Sequence, residues 1–483
     1  MVIVVVLTLG LAACLGLSDA DKRYNSGVML LEEDRFEEAI AEFDLALFLD
    51  GSMAEAFHNR ALAEQRTGRL FSAIKDYTEA IKLLPDLALA YANRGSAYIE
   101  TGDLQSALED LEHFLELDAN SVSAHTQLGL VLLDLGRNQD ALRSLDRAIE
   151  LDPGYHPAYG NRGLAHSRTG EFRLALADFG KAIEISPDYG LAYSNRASVY
   201  LLQGDLTLAI ADLDRAIGLH PDSATGYVNR GAVRAAAGEL GLAVEDYDRA
   251  IMADPTSLNA YINRASAYDG MGRYPEAVSD YGNALHLAPG TAALYTNRAA
   301  SFHAQNDLQN ALADFEQAVA LVPTSVPAWY NLGVVREDLG ELEMAVAAYR
   351  QAISFEPENI DALINRPLVY STLGEYSSTI VDADLVVQVD PTYAKAYLVR
   401  ASAHANLGMA TQSQADIDRA VALGVDRAQA ESNIAGTSLS PWAYNPGYSS
   451  DEPIPDWRLG WSHLTIRLRE TPVCPGRPRG ISG

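Results

Sequence analysis

Asparagine followed by arginine recurs at Asn59, Asn93, Asn161, Asn195, Asn229, Asn263, Asn297 and Asn365, and every gap is 34 residues or a multiple of it. Filling the missing steps adds Asn25, Gln127, Asn331 and Val399. An amide offers both a donor and an acceptor, so asparagines in a row match the successive peptide units of an extended chain. The candidate peptide-binding row is therefore Asn25, Asn59, Asn93, Asn161, Asn195, Asn229, Asn263, Asn297, Asn331 and Asn365. This is a chemistry of holding. Nothing in the sequence points to bond-making. The ten histidines are scattered, Cys14 and Cys474 are the only cysteines, and no His/Cys or His/carboxylate cluster has metal-ligand spacing. No phosphate-cradling glycine loop occurs either. No catalytic residue, metal or cofactor is expected.

The elements that position the asparagines follow from the same spacing. Twelve 34-residue units run without an insertion from Ala20 to Arg427. They span 20–53, 54–87, 88–121, 122–155, 156–189, 190–223, 224–257, 258–291, 292–325, 326–359, 360–393 and 394–427. With each Asn placed sixth, the fifteenth position is Gly in ten units, the twentieth and twenty-seventh are each Ala in ten, and the thirty-second is Pro in nine. The fourth is usually aromatic, as in Phe57, Tyr91, Tyr159 and Trp329. At about 100° per residue, positions 4, 8 and 11 share one helix face, and so do 20, 24 and 27. Glycine breaks the chain between the two helices, and proline ends the second. One hairpin cannot cover both apolar stripes, so the units must stack.

This pattern resembles that of the tetratricopeptide repeat family. The match includes Gly95 and Ala107 in the third unit, and Ala80 and Pro85 in the second. It covers 408 of 483 residues. The resemblance implies an all-α fold, a right-handed superhelical solenoid whose first helices line a concave face. In some family members the matching asparagines form a ladder against the ligand backbone. Members that clamp a carboxylate place Lys at the fifth position and a basic residue at the sixth of a later unit. Neither is present here, so such a clamp is not expected.

Arginine at position 7 and aspartate at position 23 occur in the same nine units: Arg60/Asp76, Arg94/Asp110, Arg162/Asp178, Arg196/Asp212, Arg230/Asp246, Arg264/Asp280, Arg298/Asp314, Arg366/Asp382 and Arg400/Asp416. The units with Leu128 and Leu332 carry Ser144 and Ala348 instead, and the first unit pairs Ser26 with Glu42. Pairing each Asp with the next unit's Arg fails at Asp110/Leu128, so a salt bridge within each hairpin is expected. The sixth-position asparagines lie about 200° from the buried stripe. Two readings stay open for them: a ladder for a ligand backbone, or bonds to neighbouring helices that belong to the scaffold. In the middle units positions 5 and 9 are mostly small or apolar, such as Ala92, Ser96, Gly160, Ser194 and Ala300, which leaves room for a chain.

The net charge is −29, and nearly all of it lies in the repeats. Clustered Lys and Arg for phosphate contacts are missing, so nucleic acid is not an expected partner. Other proteins are, through extended segments that are neutral or basic. Residues 1–19 form a signal-like segment. The apolar run Val2–Leu17 is short for a span, and Leu11-Ala12-Ala13-Cys14 is similar to a bacterial lipobox. That resemblance implies lipidation of Cys14 and a membrane-anchored scaffold in the bacterial cell envelope, facing away from the cytoplasm. Met1 is followed by no basic residue, so the alternative is a cytoplasmic adaptor or noncatalytic subunit recruiting an enzyme or transport complex. In the eleventh unit Pro367 occupies the small eighth position, where a bend or weak joint is expected. Residues 428–436 read as a capping helix. Residues 437–483, with Trp442, Trp457 and Trp461, read as a loose tail.

Overall fold

The computed structural model describes residues 18–435. The signal-like run with Cys14 and the tail 437–483 lie outside them. The described residues contain helices and no strand, and they divide into two compact units, 18–221 and 222–435. In the first unit the order is α1 (Asp19–Glu32), α2 (Phe36–Leu49), α3 (Ala54–Arg66), α4 (Leu70–Leu83), α5 (Ala88–Thr101) and α6 (Leu104–Leu117). It continues with α7 (Val122–Asp134), α8 (Asn138–Leu151), α9 (His156–Arg168), α10 (Phe172–Ile185), α11 (Gly190–Gln203) and α12 (Leu206–Leu219).

The second unit holds α13 (Ala224–Ala236), α14 (Leu240–Ala253), α15 (Leu258–Gly270), α16 (Tyr274–Leu287), α17 (Ala292–Ala304) and α18 (Leu308–Leu321). There follow α19 (Val326–Asp338), α20 (Leu342–Phe355), α21 (Ile360–Thr372), α22 (Tyr376–Val389), α23 (Ala394–Asn406), α24 (Ala410–Ala422) and α25 (Arg427–Ala435). Odd-numbered helices up to α23 are the first helices of repeats, and even-numbered ones the second. Within each unit every helix packs on its hairpin partner and on the next hairpin.

Each hairpin turn passes through a left-handed residue at position 15. Gly102 has φ +84° and Gly272 +70°, and the two exceptions, Asp34 and Asn306, keep φ at 58° and 60°. Asp and Asn are the residues other than Gly that tolerate this region best. The turn between repeats is built differently. Asp50 ends α2 with its backbone N–H donating to Ala46 O, and its carboxylate accepts from Ser52 N and Oγ in the turn that follows. Asp254 and Asp390 do the same with Thr256 and Thr392. The fourth-position ring then ties the next helix to that turn: Trp329 Nε1 donates to Pro323 O at 2.8 Å and Tyr397 Oη to Pro391 O at 3.1 Å.

Small residues at position 8 let the pair close. A Cβ on Gly231 would stand 2.6 Å from the Tyr247 ring, and one on Gly333 the same from Tyr349. In the eleventh repeat Pro367 fills this place within an uninterrupted α21, opposite a helix that carries Ala383 in place of a ring, and Thr379 Oγ1 donates to Pro367 O. The array ends on α25, where Ala430 is buried against α23 and α24 and Asp426 accepts from Gln429 N.

All nine arginine–aspartate pairs form inside their hairpins. Nε and Nη2 donate to the two carboxylate oxygens, at 2.7 Å each in Arg366–Asp382 and at 2.7 and 2.8 Å in Arg196–Asp212. Eight of the guanidinium groups lie 5.4 to 5.8 Å from the fourth-position ring of their own repeat. The partnership also reaches beyond the hairpin, which the sequence reading did not anticipate. Nη1 bonds to position 25 of the preceding repeat: Arg60 to Asp44 at 2.6 Å, Arg94 to Thr78 at 3.0 Å, Arg162 to Asp146 at 2.7 Å and Arg264 to Asp248 at 2.5 Å. In the first repeat Glu42 takes Arg23 as its partner at 3.0 Å, not Ser26. Asp246 has a second cation, Arg234, at 2.8 Å.

Two substitutions test this tie. Arg196→Leu leaves the buried Asp212 carboxylate without its fork and should cost about 3–5 kcal/mol. Adding Asp212→Ala, the combination that Leu332 and Ala348 already use, should recover most of that loss in urea unfolding. Equal losses for the single and double variants refute the tie. At position 25 of the eighth repeat stands Gly282, whose Cβ would lie 3.8 Å from Arg298 Nη1. Gly282→Asp should raise stability by about 1 kcal/mol, from helix propensity and the added bond together. That gain should shrink in an Arg298→Leu background.

Candidate functional site

The row of sixth-position asparagines lies at the seam between consecutive first helices. None of the ten is fully exposed, and Asn59, Asn93 and Asn229 are buried. The position that faces each asparagine across the seam is the fifth of the preceding repeat, 35 residues earlier. Asn59 Nδ2 donates to Tyr24 Oη at 3.1 Å, and Asn365 Nδ2 donates to Tyr330 Oη at 3.1 Å. Asn93 Nδ2 stands 3.0 Å from His58 Nε2, while His58 Nδ1 stands 3.2 Å from Asn59 Oδ1. A neutral imidazole with its proton on Nδ1 satisfies both contacts, donating to Asn59 and accepting from Asn93. Tyr24, Asn59, His58 and Asn93 thus make one polar zipper through α1, α3 and α5.

Elsewhere the fifth residue offers no such acceptor. Thr126 precedes Asn161, Gly160 precedes Asn195, Val228 precedes Asn263, Ile262 precedes Asn297 and Thr296 precedes Asn331. Both threonine hydroxyls turn back to their own helix, to Val122 O and Ala292 O. Asn161 and Asn195 in the first unit, and Asn263, Asn297 and Asn331 in the second, are half-buried and have no side-chain partner among the described residues. The Asn229 Nδ2 is buried without a partner. The scaffold reading and the ladder reading therefore divide the row between them. Asn59, Asn93 and Asn365 are held by the protein, and the five amides named first are left over. The signal was in the sequence, as the residue type 35 positions before each asparagine.

Two helical turns farther along the first helices runs a second line of polar contacts, which sequence reasoning missed. Gln65 Nε2 donates to Glu100 at 2.6 Å, and His303 Nε2 meets Asp338 Oδ2 at 2.6 Å. Position 12 also receives the hydroxyl of the tyrosine at position 24: Tyr77 to Gln65 at 3.0 Å, Tyr281 to Asp269 at 3.0 Å and Tyr349 to Glu337 at 2.9 Å. Burial pushes the Asp269 carboxyl up to about 6, against the lowering effect of donors from Ser301 and Tyr281. Glu337 is raised by burial too, and burial lowers Lys395, whose ammonium is drawn to Glu337. No group of three metal-ligating side chains occurs among the described residues. No helix among them is long and apolar enough to cross a membrane.

The sequence matches the tetratricopeptide repeat family at residues 126–190, 161–224 and 194–257, at 88–121 and 258–291, and at 301–340 and 326–359. Together these spans cover more than half of the chain. The protein is a tetratricopeptide repeat protein. Among solved structures it is similar to MamA, with 27% identity over 33% of this chain and 94% of that one, at a TM-score of 0.31. It is also similar to YrrB, described as a tetratricopeptide protein with an unusual peptide-binding site. There the identity is 27% over 37% of this chain and 93% of the other, at a TM-score of 0.32. Yeast Tom70 aligns over 88% of this chain and 96% of its own, at 17% identity and a TM-score of 0.36. No curated relative matches the sequence. Tetratricopeptide arrays are scaffolds for protein interaction, and that is the class to which this chain belongs.

His58 gives the seam a pH dependence. Burial lowers its pKa, so the folded state keeps it neutral while the unfolded chain binds a proton near pH 6.5. Its contribution to stability is complete above that pH and is lost as pH falls below it. His58→Tyr places there the residue type that Tyr24 and Tyr330 supply at the same position. The variant should stay folded, and its melting temperature should fall less than the wild type's between pH 6.5 and 5. Parallel curves would exclude His58 as a source of the slope.

Proposed function

We propose that this tetratricopeptide protein holds extended segments of other proteins along its first-helix seam, through the asparagine amides that the fold leaves over. The observation that carries the reading is the contrast within one row. Where an aromatic hydroxyl or imidazole stands at position 5, the next asparagine is consumed. Where it does not, the amide stays without a partner in a half-buried place. Such an amide is open to water and can exchange it for a ligand's peptide groups, while the buried Asn229 Nδ2 lacks any partner among the described residues. Stacked helices lie about 10 Å apart. An extended chain rises about 3.3 Å per residue, so one amide would meet every third peptide unit. Small neighbours such as Ser198, Ser266 and Ala300 give a ligand's backbone room and little side-chain selection. The strong negative charge favours neutral or basic segments.

The lipobox-like Leu11-Ala12-Ala13-Cys14 extends the proposal to place: acyl chains on Cys14 anchor the scaffold to a membrane of the bacterial envelope, with the repeats on the side away from the cytoplasm.

Fluorescence anisotropy with a panel of neutral and basic unstructured peptides tests the holding role. The triple variant Asn263→Ala, Asn297→Ala, Asn331→Ala should bind about tenfold or more weakly, since each lost bond contributes about 0.5–1.5 kcal/mol. It should also unfold near the wild-type temperature. Unchanged affinity would remove the row from the binding surface. Cell fractionation tests the anchor: wild type should sediment with membranes and Cys14→Ala should not. Native protein found soluble would end the anchoring reading and leave the peptide reading standing.

A further inference from the structure

We infer that the open end of the first hairpin, opposite its turn, is a membrane seat, with Leu45, Phe48 and Leu49 entering the lipid interface beside an acylated Cys14. The inference rests on the anchoring reading above and adds to it a surface of the folded repeats. Leu45, Phe48 and Leu49 stand at i, i+3 and i+4 on α2 and so share one face. They are 43%, 86% and 53% exposed. Phe48 is the most exposed large apolar side chain among the described residues.

The other repeats supply the comparison. Position 26, held by Leu45, is Glu79, His113, Arg147, Lys181, Arg215 and Arg249 in the six that follow. Position 29, held by Phe48, is Lys82, Glu116, Glu150, Glu184 and Gly218 in the next five. Met252 is apolar at position 29 but sits with Arg249, and Leu385 is apolar at position 26 but sits with Gln388. Only the first repeat is apolar at both. The stacking of the array therefore does not require Leu45 and Phe48, since the same helix geometry is met elsewhere with charges. Leu49 stands at position 30, which is apolar in all twelve repeats, and only widens the face that the other two create.

Their place on the hairpin indicates what covers them. α1 and α2 are antiparallel: Arg23 of α1 pairs with Glu42, and the Tyr24 and Phe43 ring centroids lie 6.0 Å apart. The C-terminal turn of α2 thus lies at the end of the hairpin where α1 begins at Asp19. Four residues separate Cys14 from Asp19. Five Cα steps reach at most about 17 Å, so a bilayer that held Cys14 would lie within that distance of this end. The nearby charges are compatible with a neutral lipid surface. Glu42 is paired with Arg23, Asp44 with Arg60 and Asp19 with Lys22, and Asp50 is bonded to Ser52. An exposed apolar group of this kind marks a contact surface, and beside an acyl anchor the adjoining surface is lipid.

The test uses the full acylated chain in neutral phosphatidylcholine vesicles, with Cys474→Ser in every sample. An environment-sensitive NBD probe is placed by Phe48→Cys, and for comparison by Glu116→Cys, the same position in the third repeat. Brominated phosphatidylcholine should quench the probe at 48 by about twofold or more and leave the one at 116 unchanged. A second readout needs no label: Phe48→Glu with Leu49→Glu should stay on floated vesicles through Cys14 yet give hydrogen exchange in α2 that no longer slows on membrane binding. Chain that floats with vesicles while the probe at 48 behaves like that at 116 overturns the seat and leaves the anchor intact. Chain that does not float overturns both. A change at 48 that appears without lipid and grows with protein concentration assigns the surface to a second copy and overturns the seat.

Discussion

The carboxylate at position 23 is placed where the two helices of a hairpin meet, out of reach of water, and it has to be matched there by a fixed cation. Arginine meets the requirement because its planar fork satisfies both oxygens at once, as at Arg366–Asp382, and has a third nitrogen to spare. The spare nitrogen turns a fastening within one hairpin into a fastening between neighbours, as in Arg60 to Asp44. At Arg60, Arg162, Arg264 and Arg400 a single guanidinium held on three sides by carboxylate, ring and carboxylate orients the first helix against its second, and both against the hairpin before. The seam on which the asparagines stand is set by this orientation.

Much of this was legible without coordinates. A strict 34-residue register with no insertion fixes helix, turn and helix, because Gly at position 15 and Pro at 32 leave little else possible. The nine Arg/Asp pairs were readable because they vanish together at Leu128 and Leu332. The partner of Arg at position 25 was harder to read. Asp stands there before five of the arginines and Glu only before Leu128 and Leu332, but Thr78, Gly180, Gly282 and Arg350 precede the other arginines and blur the pattern. Replacement of Ser26 by Arg23 as the partner of Glu42 was hidden for a related reason. A three-residue change along one helix moves a long side chain by about one turn and leaves its head within reach.

The site was half legible. Helical periodicity placed the sixth position away from the core stripe but could not show that a stacked neighbour would cover it. An angle on an isolated helix carries no knowledge of the next helix. The deciding variable lies 35 residues upstream: Tyr24, His58 and Tyr330 occupy their asparagines, whereas Gly160, Val228 and Ile262 do not. Architecture and binding surface are therefore not alternatives for this row. They are two states of one position, chosen repeat by repeat through the residue it faces. Asp269 and Glu337 show the same division of labour on the second polar line, where a buried carboxyl serves a neighbour's hydroxyl.

Fastening of this kind is uneven along the chain. The guanidinium is missing from the repeats that hold Leu128 and Leu332, and Gly180 and Gly282 leave Arg196 and Arg298 without an acceptor in the hairpin before. A rope spliced more lightly at some joints than at others does not stretch evenly when pulled. At α18/α19 a substitute is spliced in, Arg336 Nη2 to Glu316 at 3.0 Å. Under tension such an array would therefore yield first at α6/α7, where Leu128 stands and no guanidinium links the two helices among the described residues.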